Sequence, residues 1–163
     1  MKKNFKYLAF FILIGFRGSS SEVLPKALIR LTYISAATNE QDCMKLLNYC
    51  EINEISDIHF RQAYKACGMI IMAKHLINPI SKMTHFNKGK DLLEEVIRKA
   101  PLNTELRYLR FSVQSNVPGF LNYNKELQTD KVFLLNSLRT LEDDQLKKLI
   151  LNVLNKSELP KLN

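Results

Sequence analysis

The sequence FRQAYKACGMIIMAKHLI, residues 60–77, is followed directly by Asn78-Pro79, and this stretch decides the fold. Its apolar residues recur at helical spacing. Pro79 disfavours a helical conformation at Asn78 and suits the first turn of a second helix, which we expect to end at Pro101. Small residues along the first helix let the second approach closely, and these are Ala63, Ala66, Cys67 and Gly68. The stretch therefore predicts a helical hairpin.

The predicted second helix, from Ile80 onward, has an apolar face and a further point of close approach at Gly89. We place the following residues near one face: Met83, Phe86, Leu93, Ile97 and Ala100. This face is available for packing against the first helix.

Helical patterns also dominate the rest of the chain, with five Gly and five Pro as punctuation and no long alternating run. Asn39 and Asn103 are expected to cap helices, and the second of these carries Leu102, Leu106, Leu109 and Val113 at helical spacing. Further helices are predicted over 23–36, 120–127 (a short helix or turn), 130–138 (capped by Thr129) and from Asp143 or Asp144 to Leu154. Six or seven helices on short connections make an all-α fold.

Residues 1–20 have the pattern of a secretory signal peptide. Lys2, Lys3 and Lys6 precede an apolar run over 7–16, and small polar residues follow Arg17. That run is shorter than the roughly 20 residues that cross a bilayer. An apolar first helix or an uncleaved anchor are the alternatives. We expect export to a periplasm or the exterior, one helical domain over 21–156, a frayed tail over 157–163 and no membrane span in the mature chain.

The positive charge of the chain is partly a property of this leader. The whole sequence has 24 Lys and Arg against 16 Asp and Glu, a net charge of +8. Residues 1–20 contain four basic residues and no acid, so subtracting four from eight leaves +4 for the remainder. That value is ordinary for a small soluble domain, and no nucleic-acid partner is predicted.

The three cysteines, Cys43, Cys50 and Cys67, leave at least one thiol unpaired in a secreted chain. Cys43 and Cys50 share a helix face but lie about 10 Å apart along it, too far for a disulfide. Either can pair with Cys67 on a neighbouring helix. The alternative is that all three pack as small buried apolar residues.

Residues 60–101 resemble a tetratricopeptide-type hairpin, through their small residues, Leu92-Leu93-x-x-Val96-Ile97 and Pro101-Leu102-Asn103. This resemblance implies antiparallel hairpins stacked as a short array, with a compact helical bundle as the alternative. A longer stretch, 72–131, resembles a family of uncharacterised exported bacterial helical proteins. This second resemblance implies a compact helical architecture and no particular activity. Its matching segments are Met72-Ala73-Lys74-His75, Asn78-Pro79, Lys82, Gly89-Lys90, Glu105-Leu106-Arg107-Tyr108-Leu109-Arg110-Phe111, Pro118-Gly119-Phe120-Leu121 and Asp130-Lys131.

No strong catalytic or metal-binding motif is present in the sequence. His75 and His85 are ten residues apart across the Pro79 break, and neither has a carboxylate or thiol at ligand spacing. No cofactor, metal site or catalytic residue is therefore predicted.

One polar constellation predicts a positively charged groove for a carboxylate. Arg107, Arg110 and Gln114 share a helix face, since they lie at i, i+3 and i+7. Lys74, His75 and Asn78 end an earlier helix that can stack beside it, and arginine binds carboxylates in a bidentate fork. The alternative is that the two arginines pair with Glu105, Glu94 or Asp91 and only fix helix packing.

Four aromatic residues, Tyr108, Phe111, Phe120 and Tyr123, either form a ligand surface or fill the core. The sequence thus allows three functions, of which we favour an exported scaffold that binds a protein or peptide in the cell envelope. The alternatives are a domain that binds a small molecule or lipid among Tyr108, Phe111 and Phe120, and an enzyme that uses Lys74, His75 and Arg110.

Overall fold

The computed structural model describes residues 25–52 and 57–158, which form seven α-helices and no strand. The predicted all-α class is confirmed. The helices are α1 (Lys26–Ala36), α2 (Glu40–Glu51), α3 (Ile58–His75), α4 (Pro79–Lys99), α5 (Thr104–Asn116), α6 (Leu127–Ser137) and α7 (Asp144–Glu158). A 3₁₀ turn, Gly119–Leu121, lies between α5 and α6. The predicted leader, residues 1–20, and the last five residues of the predicted tail lie outside the described residues.

Asparagine side chains begin three of the helices, as predicted from sequence for Asn39 and Asn103. Each accepts a hydrogen bond from a backbone N–H in the first turn, at α2, α4 and α5. Asn78 performs this role before Pro79, so the break between α3 and α4 is also the start of α4. The predicted cap at Thr129 is wrong. A turn that joins the N–H of Leu127 to the carbonyl of Asn124 starts α6 earlier, and no side chain from the described part of the chain caps it.

The odd-numbered helices α1, α3 and α5 run parallel to one another. Lys26 at the start of α1 bonds to Asp57, the N-cap of α3, and His75 at the end of α3 bonds to the carbonyl of Ala36. Arg30 of α1 bonds to Glu105 near the start of α5, and Tyr33 bonds to Ser112 further along it, so α1 and α5 also run in the same direction. The C-terminal ends of these three helices therefore lie at one end of the molecule.

Helices α3 and α4 make the most extensive contact in the fold, at the hairpin predicted from residues 60–101. A Cβ atom at Gly89 would lie 2.6 Å from the carbonyl oxygen of Ala66, which confirms the predicted close approach. The predicted small-residue band of α3 is buried. At Gly68, an added Cβ would lie 2.9 Å from Cδ2 of Leu47 on α2. Small side chains therefore set the spacing of α2, α3 and α4.

Two residues that the sequence assigned to apolar faces are exposed instead. Leu102 is 81% exposed because it lies in the turn before the Asn103 cap, outside the helix whose spacing it matches. Met83 is 44% exposed, whereas Phe86, one turn further along α4, packs against Tyr123. The remainder of the predicted α5 stripe, Leu106, Leu109 and Val113, is buried.

Candidate functional site

Lys74, His75 and Asn78, one half of the predicted groove, make contacts that join helix ends. The Nζ atom of Lys74 donates to the carbonyl of Ala37 at 2.8 Å, and Nε2 of His75 donates to that of Ala36 at 2.9 Å. Asn78 accepts from backbone N–H groups at the start of α4. These three residues tie the connection between α1 and α2 to the junction between α3 and α4.

Arg107 and Arg110, from the other half of the predicted groove, meet at a buried carboxylate on α6. Arg110 donates from Nε and Nη2 to the two oxygens of Asp130, at 2.7 and 2.9 Å, and Arg107 forms an ion pair with the same group. Asp130 is fully buried. Arg110 also donates to Glu94 at 2.8 Å, and the hydroxyl of Tyr123 donates to that carboxylate. We call these five residues the Asp130 cluster.

The Asp130 cluster agrees in part with the alternative derived from sequence, in which the two arginines fix helix packing. Glu94 was predicted as a partner of the arginines, whereas Asp130, which receives both, was not. A bidentate bond between Arg110 and a carboxylate does form, but the carboxylate belongs to the chain itself. No hydrogen bond in the described part of the chain joins Lys74 or His75 to Arg110, so the structure does not bring together the three groups of the enzyme hypothesis.

A second buried cluster, which the sequence analysis missed, centres on Arg30 of α1. Arg30 is 3% exposed and donates from Nε and Nη2 to both oxygens of Glu105, at 2.7 and 2.8 Å. It also donates to Asp143 and Gln145, at the start of α7, and Tyr64 donates to Glu105. We call these five residues the Arg30 cluster. It joins α1, α3, α5 and α7, and a lone arginine in a leucine-rich helix gave no sequence signal for it.

Electrostatics of the Arg30 cluster follow from burial and pairing. Although burial alone would lower the pKa of Arg30, the bonds to Glu105 and Asp143 outweigh it and raise the pKa above its usual value. Burial likewise opposes ionisation of Asp143, but the bonds from Arg30 and from the N–H of Leu146 lower its pKa. The cluster therefore holds its charges in place as a structural unit.

Gln114, the last member of the predicted groove, lies near the end of α5 and has no hydrogen bond to either cluster among the described residues. Its side chain is 4% exposed, and its Oε1 atom is buried without a hydrogen-bond partner among the described residues. Gln114 lines a cleft of about 100 Å³. The other lining residues are Val117, Pro118, Gly119, Tyr123, Asn124 and Leu127. We call this cleft the Gln114 pocket.

The four aromatic residues singled out in the sequence are divided between the core and the surface. Tyr108, Phe111 and Tyr123 are buried, whereas Phe120 in the 3₁₀ turn is 77% exposed. Burial raises the pKa of Tyr108 and Tyr123 well above that of free tyrosine. Core packing, the alternative given from sequence, thus describes three of the four.

All three cysteines are buried as free thiols. The Sγ atom of Cys43 donates to the carbonyl of Gly68 at 3.4 Å. Burial raises the pKa of Cys43 to about 11 and that of Cys50 to about 12, and it raises that of Cys67 further. Thiols with such pKa values are poor nucleophiles at neutral pH, and these side chains pack as apolar residues.

The surface at the junction of α3 and α4 is apolar and basic. Ile77 is 94% exposed and Ile80 is 79% exposed, beside the exposed side chains of Met83, Lys74 and Lys82. We call these five residues the junction surface. Phe120 follows the C-terminal end of α5 and so lies at the same end of the molecule, because α5 runs parallel to α3. Sequence periodicity placed these apolar residues in helices without indicating that they would be left exposed by the other helices of the described ranges.

Within the described ranges, no three His, Cys, Asp or Glu residues lie close enough to share a metal ion. Over the same residues, no helix combines the length and the apolar character needed to cross a bilayer.

The chain matches no protein-family model, no curated protein and no solved structure. The resemblances to a tetratricopeptide-type repeat and to an exported helical family therefore stay predictions.

Proposed function

We propose that this chain is an exported, non-enzymatic helical scaffold that binds an acidic protein segment in the cell envelope, through the junction surface. The exposure of Ile77 and Ile80 carries this proposal. Large aliphatic side chains that are 94% and 79% exposed have no role in the core, and adjoining exposed apolar residues mark interaction sites. Export rests on the pattern of residues 1–20, as argued from sequence.

The position of the apolar residues suits an elongated partner. Ile80 and Met83 lie three residues apart on α4, so they share one side of the helix, and Ile77 comes directly before its N-cap. An amphipathic helix of the partner can place its own apolar side chains across this row, in the helix-to-groove mode of peptide recognition.

Charge selects the kind of partner. Residues 58–90 contain no Asp or Glu, whereas they include Lys74 and Lys82 beside the exposed isoleucines. Complementary charges increase the association rate and the specificity of docking, with a smaller effect on affinity. We therefore expect a segment in which Asp or Glu residues flank the apolar contacts.

The test compares the variant Ile77→Ser/Ile80→Ser with Leu102→Ser. Leu102 is 81% exposed but precedes α5, at the opposite end of the molecule, so its variant controls for a general loss of surface hydrophobicity. A photo-crosslinker at Met83 in the native envelope fraction identifies the partner, whose segment is then synthesised and titrated by calorimetry. We expect the double variant to bind at least tenfold more weakly, and Leu102→Ser to bind as the parent chain does. Binding of the parent chain should also weaken with added salt.

Equal binding by all three proteins would contradict the proposal. Two results obtained together would also contradict it: crosslinks from Met83 to lipid alone, and failure of Ile77→Ser/Ile80→Ser to sediment with anionic vesicles. The surface would then bind a membrane.

A further inference from the structure

Phe120 is an exposed aromatic side chain on a turn whose backbone is fixed. It is 77% exposed, in the 3₁₀ turn that follows α5. The N–H of Leu121 donates to the carbonyl of Pro118 at 3.1 Å, where the proline ring restricts φ. The N–H of Asn122 donates to the carbonyl of Gly119 at 3.0 Å. Asn122 has a φ of 50°, in the left-handed region that asparagine adopts more readily than most residues. The free protein therefore already holds the backbone of Phe120 in one conformation.

The end of this turn packs against α4, close to the junction surface. Tyr123 is buried, and its ring contacts that of Phe86 edge to face, with 6.1 Å between the centroids. Phe86 lies one helical turn from Met83, and Met83 lies one turn from Ile80. Because three residues separate Phe120 from Tyr123, their Cα atoms are at most about 11 Å apart. Phe120 and the junction surface are therefore neighbours at one end of the molecule.

Exposure of an aromatic ring on a fixed turn favours binding. Aromatic side chains are enriched at the centre of protein interfaces. A group that is already held in its bound conformation also loses little conformational entropy when a partner docks. Charge extends the match with the junction surface, since residues 117–125, like residues 58–90, contain no Asp or Glu. The turn thus suits the same acidic partner as the junction surface does.

We infer that Phe120 and the junction surface together bind one acidic amphipathic helix, whose apolar face extends beyond Ile77 and Ile80 to the Phe120 ring. The inferred helix rests on the proposed function and deepens it, because it defines the shape and the length of the partner segment. An extended peptide would need a sheet edge to pair with, and the described ranges contain no strand. A helix instead satisfies its own backbone hydrogen bonds and needs only a row of apolar contacts.

The experiment measures binding of two synthetic acidic helices of about 18 residues, each roughly 27 Å long. The full-face peptide has Leu at helical spacing along its whole length and Glu or Gln elsewhere. The half-face peptide has Ala in place of Leu in one half, which retains the helix. By calorimetry, we expect the parent chain to bind the full-face peptide at least tenfold more tightly. Equal affinities, or no binding of either peptide, would overturn the inference.

Matched variants assign this difference to Phe120. Phe120→Ser removes the ring, and Leu102→Ser removes a side chain that is 81% exposed at the opposite end of the molecule. We expect Phe120→Ser to bind the full-face peptide at least tenfold more weakly than the parent does, and the half-face peptide about equally well. Leu102→Ser should bind both peptides as the parent does. Both variants should keep the melting temperature of the parent, because neither side chain belongs to the core. Unchanged binding of the full-face peptide by Phe120→Ser would overturn the role of the ring.

Failure of the inference and failure of the proposed function give different results. If Ile77→Ser/Ile80→Ser weakens binding and Phe120→Ser does not, the junction surface remains the site and Phe120 lies outside it. If neither variant weakens binding, both proposals fail. A photo-crosslinker in place of Phe120, in the native envelope fraction, should capture the same segment of the same protein as one in place of Met83. Capture of lipid, or of a different protein, would contradict a shared site.

Discussion

The two ends of α5 each bury a polar side chain, but only one of these side chains has its partners. Glu105, in the first turn, accepts two hydrogen bonds from Arg30 and one from Tyr64. Gln114, in the last turns, has an Oε1 atom that accepts none from the described residues. A fully satisfied buried network rigidifies a fold, whereas a buried polar group without a partner costs free energy. The comparison separates polar residues whose bonds hold this fold from one that is buried without a hydrogen-bond partner among the described residues.

The strongest test of the satisfied end is Arg30→Met. The variant leaves the carboxylate of Glu105, which is 7% exposed, with Tyr64 as its remaining hydrogen-bond partner among the described residues. Removing one member of a buried ion pair costs about 3–5 kcal/mol, so we expect the free energy of unfolding to fall by that amount. Urea denaturation followed by circular dichroism measures it.

The control for Arg30→Met is the double variant Arg30→Met/Glu105→Leu. It removes the orphaned charge and should recover part of the lost stability, because an apolar pair can replace a buried ion pair at little cost. If the double variant is less stable than Arg30→Met, desolvation of Glu105 is not the cause of the loss, and the contrast between the two ends of α5 loses its basis.

The two glycines Gly89 and Gly119 differ in whether there is room for a side chain beside them. A Cβ at Gly89 would lie 2.6 Å from the carbonyl oxygen of Ala66, whereas a Cβ at Gly119, beside the Gln114 pocket, would meet nothing within 4 Å. Overpacking costs about 1–3 kcal/mol, so Gly89→Ala should lower the melting temperature, and Gly119→Ala should leave stability within about 0.5 kcal/mol. A melting temperature for Gly89→Ala equal to that of the parent would show that α3 and α4 can separate without cost.

Acid should weaken the Arg30 cluster and spare Gln114, which does not titrate. The folded chain lowers the pKa of Asp143, so this group contributes stability above its unfolded pKa of about 3.9 and loses the contribution as the pH falls through the lowered value. The effect is small because the Asp143 side chain is 40% exposed. The stability difference between the parent and Asp143→Asn, from urea titrations at about pH 6 and about pH 3, should shrink at the lower pH. A constant difference would show that its charge does not matter.

The sequence predicted the helices well because their determinants are local. Caps at Asn39 and Asn103 and the break at Pro79 each depend on residues a few positions apart, and the structure confirms them. Predictions failed where a local pattern extended beyond its helix. Leu102 fits the period of α5 but lies before its cap, and Thr129 resembles a cap two residues inside α6.

The site was harder to predict because its determinants are distant in the chain. Arg30 meets Glu105 across 75 residues and Asp143 across 113, and no spacing rule relates such positions. The arginine face of α5 was recognised, but Asp130 lies 20 residues from Arg110, and its complete burial has no sequence signal. Because Asp130 occupies Arg107 and Arg110, these arginines do not form the predicted groove with Gln114.

The smallest expected effect on stability is that of Gln114→Met, for which we predict almost no change in the free energy of unfolding. If Oε1 made a hydrogen bond that held the fold, its removal would cost about 1–3 kcal/mol, as for other buried polar groups that lose a partner. Because Oε1 has no partner among the described residues, we expect the free energy of unfolding to stay within about 0.5 kcal/mol of the parent value, or to rise. Methionine retains the unbranched length of glutamine and fills the same space without a buried polar atom. Urea denaturation of the two proteins under one set of conditions measures the difference. A loss above about 1.5 kcal/mol would place Gln114 with Glu105 among the residues that hold the fold, and the two ends of α5 would then be alike.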